Sequence, residues 1–203
     1  MTFTYTEQMI FPLKVTADNA IDVVDTLLPE VDVILDAIDG QIEKTALLAA
    51  SCVKGVPIVT CGGAAGRIDP TKIVVDDLSK CADCRLLFWC KKALRDQYKL
   101  FTKGPSSGNI KKYRPRKWKI AAVFSTEVQK KVEQDKDSSS LRRCDGALGT
   151  ACFVTGTYGF VAASHVVSMI VNDKLVKPKV LKSAVARLLL QHEKKPNAEQ
   201  IEI

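Results

Sequence analysis

The sequence lacks the features of an exported protein. Its first seven residues contain no basic segment, and no apolar run with a small-residue cleavage site follows, so a secretory signal is not expected. It also lacks a disulfide framework, because its seven cysteines are an odd number scattered along 203 residues, a pattern that favours reduced thiols. The sequence therefore predicts a cytoplasmic protein.

Metal-ligand patterns are sparse as well. Cys81 and Cys84 have the spacing of half a tetrahedral zinc site, and Cys90 is a candidate third ligand, but there is no second Cys-x-x-Cys motif. The two histidines, His165 and His192, lie in helix-like contexts. We therefore interpret these cysteines as packing residues rather than as zinc ligands.

Charged residues are absent from one long stretch, Gly146 to Asn172. Its length is sufficient to cross a bilayer. Glycine, serine and threonine residues dilute its hydrophobicity, so a buried core helix is favoured over a stable membrane span.

The composition itself is typical of one globular domain. The chain is 46% hydrophobic and 26% charged and has no internal repeat, so residues 1–203 are predicted to form a single domain. The charge is uneven: residues 1–79 carry 5 Lys and Arg against 12 Asp and Glu, whereas residues 80–203 carry 25 against 11. The basic second part predicts contact with a polyanion, and a solvated basic surface is the alternative.

The clearest local pattern is β-α-β. Apolar, β-branched runs at 31–36 and 56–60 flank a helix-compatible run, and such strands are typical of a sheet covered by helices on both faces. Residues 172–203 are predicted as a helical, partly disordered tail. The fold class is therefore predicted as α/β. Further strands are predicted at 72–75 and 119–124, and helices at 18–25, 43–50, 84–98 and 184–190.

Candidate site residues follow two of the strands. Asp36 and Asp39 end the first, and Gly62, Gly63 and Gly66 follow the second. Open α/β sheets bind ligands at the carboxyl ends of their strands. A carboxylate there can hold a Mg²⁺ ion that bridges nucleotide phosphates, and glycines let the backbone approach an anion. The alternatives are that the aspartates cap the next helix and that the glycines only form turns.

A basic loop at residues 103–119 is the sharpest feature of the chain. Six cations and two aromatic residues fall within residues 111–119. Cations pair with phosphates and aromatic rings stack on unpaired bases, so the loop predicts RNA contact. The alternatives are a solvated loop, or a tryptophan that anchors a strand edge. The predicted RNA-binding residues are Lys111, Lys112, Tyr113, Arg114, Arg116, Lys117 and Trp118.

Successive blocks of the sequence resemble the tRNA threonylcarbamoyladenosine dehydratases, a family within the ubiquitin-activating, ThiF and MoeB adenylating superfamily. The resemblance covers about residues 12–170, and its most specific block is Gly-Gly-x-x-Gly-x-Ile-Asp-Pro-Thr at 62–71. It implies a Rossmann-like adenylating-enzyme fold, represented here by its C-terminal part, with a mixed sheet flanked by helices. The other matching blocks are residues 15–19, 34–39, 44–47, 56–61, 123–127 and 149–161.

The resemblance also implies a reaction. The family uses ATP to adenylate the carboxylate of N6-threonylcarbamoyladenosine in tRNA, after which ring closure expels AMP. By resemblance, Asp39 manages Mg²⁺ and the phosphates as the metal ligand, and Asp36 beside it is the second candidate catalytic residue. The nucleotide-binding residues that it implies are Asp39, Lys44, Gly62, Gly63 and Gly66.

The chain departs from the family pattern in ways that leave alternatives open. The family's Gly-x-Gly-Gly-Val-Gly phosphate loop is expected before residue 1, and the usual Asp-Pro-Leu is replaced at residues 83–86. The expected partners are therefore tRNA and either a second copy or a complementary N-terminal half. The alternatives are a non-catalytic RNA- or partner-binding remnant and an activator of a ubiquitin-like modifier. Relatives occur in the bacterial cytosol and at the mitochondrial outer membrane, so the second location is the alternative to the first.

Overall fold

The computed structural model describes residues 8, 10–28, 30–102, 116–128 and 149–193. Most of the predicted basic loop lies outside these ranges. Of the candidate RNA-binding residues, Lys111, Lys112, Tyr113 and Arg114 are therefore not described, and neither is Cys144.

The described sheet has four strands, β1 (Ile34–Asp36), β2 (Ile58–Cys61), β3 (Ile73–Asp77) and β4 (Ala121–Ser125), in the order β1-β2-β4-β3. β1 pairs with β2 and β2 with β4 in parallel, whereas β3 runs antiparallel beside β4. The prediction of an α/β fold with a mixed sheet is therefore confirmed. The parallel strands end on the same edge of the sheet, at Asp36, Cys61 and Ser125.

Five α-helices of the described ranges accompany the sheet: α1 (Ala20–Leu27), α2 (Gln41–Lys54), α3 (Arg85–Asp96), α4 (Cys152–Val171) and α5 (Lys182–Glu193). α2 is the central one, because every residue from Lys44 to Val53 is buried. Its small residues allow this close packing on the sheet. Gly55 ends it with a φ of 71°, a left-handed conformation that glycine adopts without steric cost.

The two faces of the sheet bury different clusters. On one face, α1, α2, α3 and α5 contribute to a large core that includes Leu48, Ile58 and Ile120. On the other face, Val59 and Val123 pack with residues of α4. The alternation of Ile58 and Val59 between the clusters follows from the two-residue period of a strand.

α4 is buried along one face only. Val154, Tyr158 and Ala162 pack toward the sheet, whereas Phe160 is 80% exposed on the outer side. The prediction of a buried core helix is thus correct for the inner face and wrong for the outer one. Within the described ranges, α4 is also the one helix that is long and apolar enough to cross a membrane by length and composition, with a mean hydropathy of 1.4.

Candidate functional site

Asp36, at the carboxyl end of β1, is the centre of a buried polar network. Its Oδ2 accepts hydrogen bonds from Lys44 Nζ at 2.8 Å and from Thr60 Oγ1 at 2.7 Å. Its Oδ1 accepts from the Ile38 amide at 3.0 Å. Lys44 and Thr60 are also 3.2 Å apart, so the three side chains satisfy one another in the protein interior. The network ties α2 and β2 to the end of β1.

Asp39 occupies a different environment from Asp36. It is exposed in the loop between β1 and α2, directly before Gly40, the N-cap of α2. No hydrogen bond or ion pair of its carboxylate occurs within the described part of the chain. The carboxylate is therefore open to a ligand, and the amino-terminal end of α2 beside it provides backbone amides that have no partner within the helix.

Lys44 was expected to line the nucleotide pocket, but its side chain points into the interior. The ammonium group is fully buried and contacts Asp36 and Thr60. In this arrangement Lys44 supports the loop that carries Asp39 from the protein interior and does not line a pocket on the solvent-exposed side of that loop.

The loop of Gly62 to Gly66 follows β2 and is held by its own amides. Gly62 N donates to Val123 O at 2.8 Å, Gly63 N to Cys84 Sγ at 3.3 Å, and Gly66 N to Gly149 O at 3.1 Å. These three amides therefore have no hydrogen left for a phosphate in this conformation. Gly66 has a φ of 69°, so glycine is needed there to shape the turn.

Two residues that sequence reasoning did not assign hold this loop and the segment that follows it. Glu127 Oε2 accepts from the amides of Ile68 and Asp69, both at 3.1 Å. These hydrogen bonds, that of Asp69 first, lower the pKa of Glu127. Tyr158 on α4 accepts from the Ser125 amide at 2.7 Å and donates to Gly63 O at 3.4 Å. In the sequence, the only indication of a role for Glu127 and Tyr158 is that they lie in the blocks that resemble the family, 123–127 and 149–161.

The cysteines form no metal site within the described ranges, where no cluster of three or more metal-ligating His, Cys, Asp or Glu side chains occurs. Cys81 and Cys84 lie side by side, but Cys90 Sγ is directed toward Gln41 O at 3.9 Å.

The described end of the basic loop divides into exposed cations and a buried ring. Arg116 and Lys117 are exposed, and Lys117 lines a cavity of about 340 Å³ together with Lys119, Lys174 and His165. Trp118 is only 6% exposed, and its ring stacks on Phe101 with centroids 3.9 Å apart. Trp118 therefore has a packing role in this structure and offers no open face to a base, which corrects the expectation from sequence.

No family model matches the chain. It is 35% identical over 150 residues to the tRNA threonylcarbamoyladenosine dehydratase of Haemophilus influenzae, a match that covers 73% of this chain and 52% of that protein. The protein of the same name from Escherichia coli is 33% identical over 141 residues, which is 65% of this chain and 49% of the relative. The chain thus spans about half the length of the curated relatives that it matches.

Solved structures that are similar to this chain are of a protein with the same name as these relatives. E. coli tRNA N6-threonylcarbamoyladenosine dehydratase in complex with AMP has a TM-score of 0.57 and 28% sequence identity, over 89% of this chain and 56% of the other. The same protein in complex with ATP gives a TM-score of 0.56 at 28% identity, over 90% and 56% of the two chains. These neighbours have the Rossmann-like adenylating-enzyme fold, which confirms the fold expected here.

Proposed function

Since this chain is related to the tRNA threonylcarbamoyladenosine dehydratases over about half of their length, we propose that it forms part of an enzyme that uses ATP to cyclise N6-threonylcarbamoyladenosine in tRNA. The observation that carries the proposal is the exposed carboxylate of Asp39 at the carboxyl ends of the parallel strands, which no other described residue engages. Solved structures with this fold hold AMP and ATP. Ligands bind at this edge in open α/β sheets.

The proposed chemistry explains the need for ATP. A carboxylate does not undergo ring closure by losing hydroxide, whereas a carboxyl adenylate closes with loss of AMP. The net reaction removes one water from the modified nucleoside and converts ATP to AMP and pyrophosphate.

Mg²⁺ fits the residues at this site through Asp39. The ion prefers oxygen ligands and is commonly held by one or two carboxylates, substrate phosphates and water. Asp36 does not qualify as its first ligand in this conformation, because its carboxylate is already engaged by Lys44, Thr60 and the Ile38 amide. We assign Asp39 the contact with the metal and phosphates, and Asp36 the task of positioning the loop.

The described residues do not provide enough free backbone amides to bind the phosphates of ATP, a set of donors that we call the phosphate cradle. The 203 residues contain no Gly-x-Gly-Gly-Val-Gly motif, and the amides of Gly62, Gly63 and Gly66 are engaged within the chain. We propose that a complementary segment, corresponding to the part of the relatives outside the match, supplies this loop. β1 supports the idea, because it is the edge strand of the described sheet and Leu35 on it is 45% exposed. A homodimer is a second way to complete the assembly.

We propose that tRNA contacts the exposed cations just before the start of β4. Arg116 and Lys117 are exposed, and Lys119 and Lys174 lie beside the same cavity as Lys117. These cations would bind phosphates without selecting a base. The cytoplasm, where tRNA and reduced thiols coexist, is the proposed location.

One observation favours a second candidate, a non-catalytic RNA-binding chain. The engaged glycine amides leave the described loop without free donors for a phosphate at Gly62, Gly63 and Gly66. Such a chain would keep the basic surface and would have no adenylating activity.

Fusion to the complementary segment of the Haemophilus influenzae relative separates the two candidates. We expect the fused protein, given ATP, Mg²⁺ and tRNA that carries threonylcarbamoyladenosine, to yield a nucleoside lighter by one water in mass spectrometry. A folded fusion that binds this tRNA but leaves the nucleoside unchanged would support the non-catalytic candidate and refute the enzymatic one.

A further inference from the structure

Cys81 and Cys84 lie at the two ends of the turn that leads into α3. Cys81 follows the short 3-10 helix Leu78–Lys80, and Cys84 is the N-cap residue of α3. Both side chains are buried, and the two thiol groups interact closely enough that the pKa of Cys81 is raised and the pKa of Cys84 is lowered. The two sulfur atoms are therefore adjacent in the folded chain.

The surroundings of the Cys84 sulfur favour a thiolate. It accepts a hydrogen bond from the Gly63 amide at 3.3 Å, and Cys81 and the Leu87 amide lie close enough to affect its pKa. The amino-terminal end of α3 adds its positive dipole. The interaction with Cys81, then the neighbouring amides of Leu87 and Gly63 and the charge of Arg67, lower the pKa of Cys84 to about 6, although burial of the sulfur opposes this shift.

Two buried cations face the same turn. Arg67 is 3% exposed; its Nη2 donates to Asp83 O at 2.6 Å, and its Nε and Nη1 have no hydrogen-bond partner among the described residues. Lys91 is buried and donates to Cys81 O. Neither cation forms an ion pair with a carboxylate in the described part of the chain. Buried charges are normally paired, so a thiolate at Cys84 is the counter-charge that we expect for these two buried cations.

We propose that Cys81 and Cys84 form a reversible redox site, at which a low-molecular-weight disulfide such as oxidised glutathione converts the two thiols into an intramolecular disulfide. This inference concerns the folded chain itself and does not depend on the proposed function.

The chemistry balances in two exchange steps. The Cys84 thiolate attacks one sulfur of oxidised glutathione, so that a mixed disulfide forms and one glutathione thiolate leaves. Cys81 then loses its proton and attacks the Cys84 sulfur, which expels the second glutathione. Starting from the Cys84 thiolate and the Cys81 thiol, the cysteine pair loses two electrons and one proton. That proton and one proton from the solvent convert the two released glutathione thiolates into two molecules of reduced glutathione.

The reduced form is the one that the surroundings stabilise. Arg67 loses its counter-charge when the thiolate becomes part of a disulfide, so the disulfide is a strong oxidant and is readily reduced by glutathione. The pair therefore stays reduced under ordinary cytoplasmic conditions and is oxidised when oxidised glutathione accumulates.

Oxidation is coupled to the Gly62 to Gly66 loop. The Gly63 amide uses the Cys84 sulfur as its acceptor, and a Cβ on Gly62 would lie 2.8 Å from the same sulfur. When the sulfur turns toward Cys81, Gly63 loses its hydrogen bond and the space beside Gly62 opens. Because the loop also covers the buried sulfur, oxidation requires the loop to open first and is slower than at an exposed thiol.

The test is peptide mapping of the whole chain after equilibration with glutathione buffers of graded ratio. Trypsin cleaves after Lys80 and Arg85, so one peptide contains Cys81 and Cys84 and no other cysteine. We expect this peptide to lose two hydrogens in the oxidising buffers and to regain them on return to reduced glutathione. Cys152→Ser is included as the background, because Cys152 is exposed and would otherwise link two chains.

Matched variants make the outcome decisive. Cys81→Ser should leave a glutathione adduct on Cys84, whereas Cys90→Ser should not change the equilibrium. Arg67→Met should shift the exchange equilibrium about tenfold toward the disulfide, because the thiolate loses its counter-charge. Hydrogen exchange at the Gly63 amide should accelerate on oxidation of the unaltered pair. An unmodified 81–85 peptide at every buffer ratio in the folded chain, or a stable glutathione adduct without the internal disulfide, would overturn the proposal.

Discussion

Lys44 Nζ lies 2.8 Å from Asp36 Oδ2, and both side chains are completely buried. Thr60 completes the contact from β2, so a helix and two strands meet at one carboxylate. This meeting point fixes the direction in which the chain leaves β1, and with it the position of Asp39. The ion pair is thus part of the support of the candidate site, although it does not face a ligand itself.

Replacement of Lys44 by Met is expected to destabilise the chain by about 3 to 5 kcal/mol, since it leaves the Asp36 carboxylate buried without its counter-charge. Urea unfolding followed by circular dichroism measures this difference. The double variant Asp36→Asn with Lys44→Met should be clearly more stable than Lys44→Met alone, because no uncompensated charge then remains.

The matched control is the surface pair of Lys54 and Asp25, whose side chains are 19% and 59% exposed. Lys54→Met should change the free energy of unfolding by less than about 1 kcal/mol. Equal losses for Lys44→Met and Lys54→Met would contradict the role given to the buried pair.

Local patterns sufficed for much of the fold. Gly55 and Pro57 predicted the end of α2, and the structure places the helix end at Lys54. The strand predicted at 31–36 was too long, because β1 begins at Ile34, where its pairing with Ile58 in β2 starts. The antiparallel direction of β3 was not readable from residues 72–75, since an apolar run has the same pattern in either direction.

The site was less predictable than the fold. Asp36 and Asp39 are three residues apart and look alike in the sequence, yet one is buried and the other exposed. The difference arises from Lys44 and Thr60, which reach Asp36 from 8 and 24 residues away. Trp118 shows the same limit, because its burial depends on Phe101 across the basic loop. Contacts between distant residues decided these roles, and no local pattern contains them.

The unfolding free energy is expected to depend on pH through Cys84. Its pKa is lowered from 9.0 to about 6, the interaction with Cys81 being the largest cause. A group whose pKa is lower in the folded chain than in the unfolded chain stabilises the fold at pH values above its unfolded pKa. This stabilisation is lost as the pH falls toward 6. The other titratable groups that interact with it are Cys81, Arg67, Lys91, Tyr158 and, more weakly, Cys90. Unfolding by urea under reducing conditions at several pH values between 6 and 9 measures the effect.

Two variants identify the group responsible. Cys84→Ser should make the pH dependence in this window shallower. Cys90→Ser should not, because burial raises the pKa of Cys90 to about 11 and keeps its thiol protonated throughout. If Cys84→Ser lowered stability by the same amount at pH 6 and at pH 9, the sulfur would be a thiol rather than a thiolate.

Binding of tRNA to the 203-residue chain is expected to depend on salt through exposed cations. Replacement of both Arg116 and Lys117 by Ala should reduce the slope of log affinity against log salt by about 1.4 to 1.8, since each lost phosphate contact removes roughly 0.7 to 0.9. Filter binding at graded salt concentrations measures the slope.

The controls address charge and packing separately. Lys14→Ala with Lys182→Ala removes two exposed cations outside the basic loop and should leave the slope unchanged. Trp118→Phe should alter stability more than tRNA affinity, because the ring is stacked on Phe101 in the core. An equal fall in slope for both double variants would indicate attraction by overall charge rather than a defined surface.

Asp39 is expected to be essential for adenylation once the phosphate cradle is complete. ATP–pyrophosphate exchange with threonylcarbamoylated tRNA measures this step without the later ring closure. The unfused chain should show no exchange, since one preorganised donor to a developing charge is already worth about 100-fold in rate and the glycine-rich loop supplies several.

In the protein fused to the complementary segment, exchange should return, and Asp39→Ala should lower it by at least about 100-fold, because the carboxylate then no longer places Mg²⁺ against the phosphates. Asp32→Ala, which removes an exposed carboxylate just before β1, is the control and should retain exchange within a few-fold. Cys81→Ser and Cys84→Ser should also remain active under reducing conditions, because the disulfide is absent there. Retention of exchange by Asp39→Ala, with loss in Asp36→Asn at unchanged stability, would transfer the catalytic contact from the exposed aspartate to the buried one.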